Sequence, residues 1–254
     1  MNMVSVNNFK KLIPAQFKQI IKNIFFRIKY GFPPPPSFTD LSDYEILLDT
    51  IIEQKIYQLD GDFVEVEAFL GGGTYKLAKL LEKLKVNKKV YAVDIFNVDF
   101  DQSVCTQGIT MSEIYRRILK GRNQYEIYRE ITKKCKNIVT IIGDSKEIVL
   151  PCEKIAFGYI DGNHHPEYVR NDFYLIWPKL VSKGIVGFDD YGYDLPQVTT
   201  TIHQLIGEEK DRILKIWTAG LKTIFIQKNE KKNFNYRSRY YRTYFGRKIR
   251  IKRK

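Results

Sequence analysis

Three aspartates directly follow two short apolar segments of the sequence. Asp161 comes after residues 155–160, and Asp189-Asp190 come after residues 184–188. If both segments are neighbouring parallel strands, the three carboxylates converge at one edge of a sheet. Unpaired, they would repel one another and raise each other's pKa, so a cation between them is the natural compensation. Carboxylate ligands favour Mg²⁺, with Ca²⁺ or Mn²⁺ as alternatives. A structural role for Asp189-Asp190, capping a helix or shaping a loop, remains open.

A second group of residues is typical of a site for a nucleoside-containing ligand. Residues 65–74, EVEAFLGGGT, are rich in glycine and lie between a predicted strand and a predicted helix. Glycines at such a turn allow close approach of the backbone, and amides at a helix start bind anionic groups. Asp94 ends the next predicted strand, where an acid can accept both hydroxyls of a ribose. The absence of GxGxxG argues against a dinucleotide.

These residues require an alternation of strands and helices to position them. Apolar segments and helical periodicity do alternate, which predicts a mainly parallel sheet. Predicted strands are residues 63–67, 89–94, 138–142, 155–160 and 184–188, followed by a hairpin at 214–218 and 222–227. Predicted helices are residues 43–58, 75–84, 124–134 and 166–180. Residues 97–122 are irregular and predict a substrate lid containing Met111, Tyr115 and Arg116, and Tyr191 and Tyr193 are expected to line the same cleft.

The formal net charge of +13 is concentrated at the two ends of the chain. Residues 228–254 hold twelve Lys or Arg against one acid, and residues 1–31 hold six against none, so the segment between them is net acidic. Three cysteines at irregular spacing predict neither a disulfide framework nor a zinc site. No long apolar run or signal-peptide pattern is found. The sequence therefore predicts a cytoplasmic protein.

The composition of the two ends of the chain predicts that each is an extension of a central domain. Residues 1–36 are expected to form an amphipathic helical extension with a proline-rich linker, residues 37–228 the main domain, and residues 229–254 a basic tail rich in Tyr, Arg and Lys. The apolar face of the extension is suited to the body of the protein, to a second subunit of a homo-oligomer, or to the anionic inner surface of a membrane. The tail is compatible with phosphate backbones. Without a folded nucleic-acid module, nucleic acid is the less favoured partner.

These segments together resemble the class I S-adenosylmethionine-dependent methyltransferases. The resemblance is strongest to the metal-dependent sugar O-methyltransferases of the macrocin type, with catechol O-methyltransferase more distant. Its most specific pieces are Asp161-Gly162 and Asp189-Asp190-Tyr191-Gly192, and it covers about residues 63–227. It implies a Rossmann-like α/β fold, with a mostly parallel seven-stranded sheet, helices on both faces and a C-terminal antiparallel hairpin.

The resemblance also implies roles for individual residues. The implied metal ligands are Asp161, Asp189 and Asp190. The implied site for S-adenosylmethionine consists of Glu65, Glu67, Ala68, Phe69, Gly71, Gly72, Gly73, Thr74, Asp94, Gly143, Asp144, Ser145 and Asp161. Within this set, residues 65–74 would hold the methionine part of the cofactor, Asp94 its ribose, and residues 143–145 would border its adenine.

Two positions depart from the pattern of the family. Glu67 stands where relatives usually have glycine, so its side chain must turn aside or hold the ammonium group of the cofactor. Asn163 stands where macrocin-type relatives often carry an aspartate that is implied to act as base, and an amide cannot accept a proton. His164 lies three residues after Asp161, where catechol-type enzymes have a base lysine. We therefore predict His164 as the catalytic base, with His165 as the alternative.

The predicted activity is O-methylation, dependent on S-adenosylmethionine and on Mg²⁺ or another divalent cation. The expected acceptor is a sugar, a glycan or a similar small molecule that contains a diol, which the resemblance implies. Two alternatives remain open. One is an RNA methyltransferase that uses the basic tail, and the other is a non-catalytic scaffold in which Glu67 blocks the cofactor.

Overall fold

The computed structural model describes residues 14–39 and 44–229, without the side chains of residues 15 and 16. Most of the basic tail predicted at 229–254, and residues 1–13 of the N-terminal extension, lie outside the described residues. The predicted division into extension, domain and tail therefore stays a prediction. Among the described residues, no helix is both long and apolar enough to cross a membrane.

The centre of the structure is one seven-stranded sheet with the order β3-β2-β1-β4-β5-β7-β6. The strands are β1 (Asp62–Val66), β2 (Val90–Asp94), β3 (Ile138–Ile142), β4 (Ile155–Ile160), β5 (Leu180–Phe188), β6 (Ile213–Ala219) and β7 (Thr223–Lys228). The first five are parallel, and β7 is antiparallel to both β5 and β6. The predicted Rossmann-like fold with its C-terminal hairpin is confirmed. The strand order reverses beside β1, and the crevice at such a point is where open sheets bind ligands.

Seven α-helices are found in the described part of the chain. They are α1 (Ala15–Tyr30), α2 (Glu45–Glu53), α3 (Gly72–Lys83), α4 (Met111–Leu119), α5 (Gln124–Thr132), α6 (Pro166–Ile176) and α7 (Pro196–Glu209). Short 3₁₀ turns lie at Ser37–Thr39, Ile56–Gln58 and Lys210–Arg212.

Two of these helices were not predicted. Helix α4 lies inside the segment expected to be irregular, although the apolar residues from Met111 to Leu119 follow helical spacing. Its start also carries a capping signal, because the Thr110 side chain accepts a hydrogen bond from the backbone N–H of Glu113 at 3.2 Å, as in a capping box. Helix α7 begins with a proline in its first turn and contains three consecutive threonines, which have low helix propensity. Helix α6 also ends earlier than predicted, because β5 already begins at Leu180.

The sheet is covered on both faces, and its central strands are buried on both sides. One apolar cluster joins Val64 and Val66 to Phe173 of α6 and Ile202 of α7. The other joins Phe63, on the opposite face of β1, to residues of α1, α2 and α3. This two-sided burial explains why the strands are almost continuously apolar and end abruptly in polar residues.

Candidate functional site

A cavity of about 460 Å³ lies at the carboxyl ends of β1, β4 and β5. Its walls include Glu67 after β1, Asp161 and His164 after β4, and Asp190 after β5. Helix α4 and the loop before it supply another wall, which includes Met111 and Tyr115. The volume lies within the range of small-molecule sites.

The segment predicted as a lid lies against this cavity, although its three named residues differ in placement. Met111 and Tyr115 line the cavity. Arg116 instead forms an ion pair with Asp99 at 2.5 Å, with both side chains more than half exposed. Of the two tyrosines expected in the cleft, Tyr193 lines it, whereas the Tyr191 hydroxyl shares a hydrogen bond with His203 at 2.8 Å.

The glycine-rich turn after β1 is built from left-handed backbone. Gly71 precedes α3 with a φ of 83°, and the non-glycine residues Glu67 and Phe69 have φ values of 66° and 47°. A left-handed φ favours glycine, which explains why relatives usually have glycine at the position of Glu67. The Glu67 side chain lies in the cavity, so it does not turn away from the predicted cofactor site.

Some of the other predicted residues of this turn line the cavity, and others support the turn from behind. Ala68, Phe69 and Gly73 line the cavity. Glu65 is fully buried and accepts a hydrogen bond from the Thr74 hydroxyl. A Cβ at Gly73 would collide with the Tyr44 ring and the Glu65 carboxylate, so glycine is required there for packing.

Asp94, the predicted ribose acid, is buried beside the same turn. Its Oδ2 accepts a hydrogen bond from the backbone N–H of Phe69 at 2.7 Å, and its Oδ1 accepts one from Phe96 at 2.5 Å. Burial raises the pKa of Asp94 to about 7, against the opposing effect of these amides and of Gln124. Asp94 thus ties the turn after β1 to the end of β2.

Residues 143–145 follow β3 next to Asp94. The Gly143 N–H donates to the Asp94 carbonyl oxygen at 3.0 Å. Asp144 accepts a hydrogen bond from the Tyr168 hydroxyl at 3.0 Å, and the Ser145 hydroxyl accepts one from the Asn171 amide at 3.5 Å. These residues lie at the carboxyl end of β3, and their role beside the adenine stays a prediction.

The two aspartates after β5 are held by a lysine that the sequence analysis did not select. Lys222 Nζ lies 2.5 Å from Asp189 Oδ2 and 2.9 Å from Asp190 Oδ1. Asp189 Oδ1 also accepts a hydrogen bond from the Tyr159 hydroxyl at 2.9 Å. Burial would lower the pKa of Lys222, but the surrounding carboxylates of Asp161, Asp189 and Asp190 raise it. Lys222 is therefore a permanent cation on one side of the aspartate group.

Asp161 faces the cavity without such a close cation. Its Oδ2 accepts a hydrogen bond from the Tyr44 hydroxyl at 3.1 Å. Burial and then the neighbouring Asp189 carboxylate raise the pKa of Asp161 well above its usual range. Burial and then the Asp94 and Asp101 carboxylates raise the pKa of Glu67 in the same way. Two carboxyl groups in the cavity wall thus lie in a negative environment that a bound cation would relieve.

His164 is buried between two further carboxylates. Its Nδ1 lies 2.6 Å from Asp101 Oδ2, and its Nε2 lies 2.8 Å from Asp190 Oδ2. Burial would lower the pKa of His164, but hydrogen bonds to Asp101 and Asp190 raise it to about 10. Burial would raise the pKa of Asp190, but His164 and Lys222 lower it to about 2. In this arrangement His164 is protonated at neutral pH and donates from both nitrogens.

Asn163 and His165, the neighbours of His164 in sequence, are not among the residues that line the cavity. His165 is exposed at the start of α6, and its backbone N–H donates to the Asn163 side chain at 2.9 Å. Asn163 is buried and donates from its amide to the Phe100 carbonyl oxygen at 3.4 Å. Of the two candidate bases, His164 is the one whose side chain lines the cavity.

Asp161, His164 and Asp190 form a group with the donor atoms of a metal site, all within 4.8 Å of one another. Asp189, the third metal ligand implied by the resemblance, is not part of this group, since its oxygens are directed at Tyr159 and Lys222. The Asp101 contact with the second nitrogen of His164 is the arrangement that commonly orients a metal-binding imidazole.

Sequence reasoning missed Asp101, Lys222, Tyr44 and Tyr159. Asp101 lies in the segment expected to be irregular, and Lys222 lies in the turn of the hairpin. Neither is at a motif spacing from the side chains that it contacts, His164 for Asp101 and Asp189 and Asp190 for Lys222, so no local signal marked them. The predicted strand ends indicated only those site residues that directly follow a strand.

The sequence of residues 64–191 matches the family described as a methyltransferase domain. No curated protein matches the chain in sequence. Among solved structures, the O-methyltransferase NovP has a TM-score of 0.58 at 16% identity, covering 74% of this chain and 78% of its own. A putative O-methyltransferase from Klebsiella pneumoniae has a TM-score of 0.53 at 12% identity, covering 89% and 95%. The calicheamicin methyltransferase CalS11 has a TM-score of 0.51 at 16% identity, covering 87% and 89%. At these identities the structures establish a shared fold.

Proposed function

The chain belongs to the family of methyltransferase domains, and from this premise we propose that it is an S-adenosylmethionine-dependent O-methyltransferase. The proposed acceptor is a hydroxyl of a sugar, a glycan or a similar small molecule that contains a diol. One observation carries the proposal: a single cavity joins the glycine-rich turn after β1 to the carboxylates that follow β4 and β5. The turn provides a place for the cofactor, and the carboxylates provide polar groups for the acceptor.

The charge of the cavity suits this cofactor. S-adenosylmethionine carries a positive sulfonium and a positive ammonium group. Glu67 and Asp161 line the cavity with raised pKa values caused by burial and neighbouring carboxylates, so a cationic ligand would be stabilised there. We assign Glu67 to the ammonium group, because its carboxylate is already held in the cavity by the left-handed turn.

A divalent cation would fit between Asp161 and Asp190; His164 lies beside them but offers no lone pair to a metal while it is an imidazolium. Their donor atoms lie within 4.8 Å of one another, and carboxylate oxygens are the ligands that Mg²⁺ prefers. When bound, such a cation lowers the pKa of an acceptor hydroxyl. Lys222 neutralises Asp189 and Asp190 from the other side, so Asp161 is the carboxylate that most requires further positive charge. We therefore propose Asp161 and Asp190 as the main metal ligands and give Asp189 the role of positioning Lys222.

The reaction requires one proton acceptor. The acceptor oxygen attacks the sulfonium methyl group, the C–S bond breaks with its electron pair going to sulfur, and the hydroxyl proton is transferred to a base. While His164 is an imidazolium that donates a hydrogen bond from each nitrogen, it has no lone pair with which to accept a proton. We propose that it serves as base after its contact with Asp190 is broken and its Nε2 proton is released to solvent, so that the Nε2 lone pair accepts the hydroxyl proton while Nδ1–H still donates to Asp101.

The first test is calorimetric titration of S-adenosylmethionine and S-adenosylhomocysteine into the purified full chain. Micromolar binding is expected, and the Asp161→Asn variant should lose methyl transfer. Asp211→Asn is the control, because Asp211 is exposed on a 3₁₀ turn away from the cavity. Transfer of a labelled methyl group from S-adenosylmethionine is then measured on a panel of diol-containing sugars, in EDTA and in Mg²⁺.

The outcomes separate the alternatives. Absence of cofactor binding would overturn the proposal and favour the scaffold in which Glu67 blocks the site. Methylation of RNA that is lost on removal of residues 229–254 would favour the RNA enzyme. Full activity in EDTA would be compatible with the proposed O-methylation but would refute the proposed requirement for a divalent cation.

A further inference from the structure

Helix α1 presents a broad apolar face to solvent. Six large side chains on this helix are 43% to 74% exposed: Phe17, Ile20, Ile21, Ile24, Phe25 and Ile28. On a wheel of about 100° per residue they occupy one continuous arc of roughly 140°. We call this arc the outer face of α1. Isolated exposed apolar residues are ordinary, but a contiguous set of this size marks an interaction surface.

The opposite face of α1 already anchors the helix to the domain. Phe26 and Tyr30 are at most 5% exposed, and their rings contact each other with centroids 4.7 Å apart. The Tyr30 hydroxyl donates to Asp49 Oδ1 at 2.9 Å, and Lys29 pairs with Asp49 at 2.7 Å. The outer face therefore cannot turn inwards without breaking these contacts. The partner of the outer face therefore lies outside the domain.

Cations flank the outer face on both of its edges. Lys18, Lys22 and Lys29 follow one edge, and Arg27 lies beside the other, by the same wheel geometry. The helix contains no acidic residue. An apolar stripe bordered by cations is the pattern of a helix that lies in the plane of an anionic membrane surface. A second copy of the chain is a poor occupant, because two outer faces would bring together six cations, Lys18, Lys22 and Arg27 from each copy, with no acid on either helix.

We infer that the outer face of α1 docks the protein on an anionic lipid surface, with the apolar side chains inserted at the boundary between headgroups and acyl chains. The flanking lysines and arginine would contact the lipid phosphates. The helix would lie on the surface rather than span it, in agreement with the absence of a spanning helix among the described residues. This inference does not depend on the proposed methyl transfer.

The test uses the full chain and two kinds of vesicle, phosphatidylcholine alone and phosphatidylcholine mixed with phosphatidylglycerol. Flotation should recover the protein only with the anionic vesicles. The double variant Phe25→Ser, Ile28→Ser should bind at least about tenfold more weakly, because it removes two large apolar groups from the docking face. Both side chains are more than 65% exposed, so the fold should survive. Val149→Ser is the matched control, since Val149 is 82% exposed at a distant loop.

A second variant separates the helix from the basic ends of the chain. Phe25→Trp places a fluorophore on the outer face, and its emission should shift to shorter wavelength with anionic vesicles. Unchanged emission together with vesicle binding would assign the attachment to the basic ends and overturn the inference. Equal binding of the parent and the double serine variant would also overturn it. Concentration-dependent dimerisation that the double variant abolishes, without vesicle binding by the parent, would assign the face to a second copy.

Discussion

Replacement of Lys222 by Met should destabilise the protein far more than the loss of an ordinary surface ion pair. The substitution keeps most of the length of the side chain and removes only the ammonium group. That group lies 2.5 Å from Asp189 and 2.9 Å from Asp190, whose side chains are 2% and 10% exposed. The variant would leave two buried carboxylates without the cation that they share, and Asp190 would keep only its contact with His164.

The size of the effect follows from this burial. Removing one partner of a buried ion pair costs about 3 to 5 kcal/mol. The Lys222 side chain is 27% exposed, so water can partly replace it, and we expect a loss of about 3 kcal/mol in the free energy of unfolding. With a urea dependence of about 3 kcal/mol per molar, the unfolding midpoint should fall by about 1 M.

The assay is equilibrium unfolding in urea, followed by circular dichroism in EDTA. Lys154→Met is the matched control: Lys154 lies at the same 2.5 Å distance from Asp60, but both side chains are more than half exposed. Its loss should shift the urea midpoint much less, because water screens an exposed ion pair. Equal effects of the two substitutions would refute the reasoning, because they would show that burial of the carboxylates does not set the strength of the contact.

Three further predictions concern the site and its surroundings. Glu67→Gly should leave the fold at least as stable, since glycine accepts the φ of 66°, but should weaken S-adenosylmethionine binding at least about tenfold; calorimetry that shows tighter binding would mean that Glu67 blocks the cofactor. His164→Gln should lower kcat for methyl transfer by about 10²-fold or more while the cofactor Kd stays within about twofold; an unchanged kcat would exclude the histidine as base. Burial raises the pKa of Asp172 to about 7, so this group ionises less readily in the folded protein than in the unfolded chain. The free energy of unfolding therefore falls as the pH rises from the pKa of the unfolded chain to about 7. Asp172→Asn should therefore raise the melting temperature relative to the parent at pH 8 and much less at pH 4, and equal differences at both pH values would contradict this.

Most of the fold could be predicted from the sequence because it depends on local periodicity. The short apolar strands are buried on both faces, so each produced an apolar run with a clear end, as at Val90–Asp94 and Ile155–Ile160. Most helices with a clear apolar stripe were found in the same way, but α4, which has such a stripe over Met111–Leu119, was not. Helix α7 was missed because its central threonines give neither high helix propensity nor a clear stripe.

The parts of the site that follow a strand directly were also accessible from the sequence. Asp161 and Asp190 lie in the cavity wall with His164, as their positions after β4 and β5 suggest. Asp101 and Lys222 could not be found in this way. Their roles arise from contacts between residues 63 and 32 positions apart, which no spacing rule connects.

The charges found in the structure narrow the kind of acceptor more than the sequence does. The basic ends alone would suit an anionic acceptor, but the described wall of the cavity contains acidic side chains. The pKa values of Asp161 and Glu67 in that wall are raised first by burial, which disfavours the charged form, and then by neighbouring carboxylates. A sulfate or phosphate placed beside them would raise those pKa values further, whereas the sulfonium of the cofactor would lower them. The reacting part of the acceptor should therefore be an uncharged hydroxyl group, and any anionic part of the acceptor should lie away from Asp161 and Glu67.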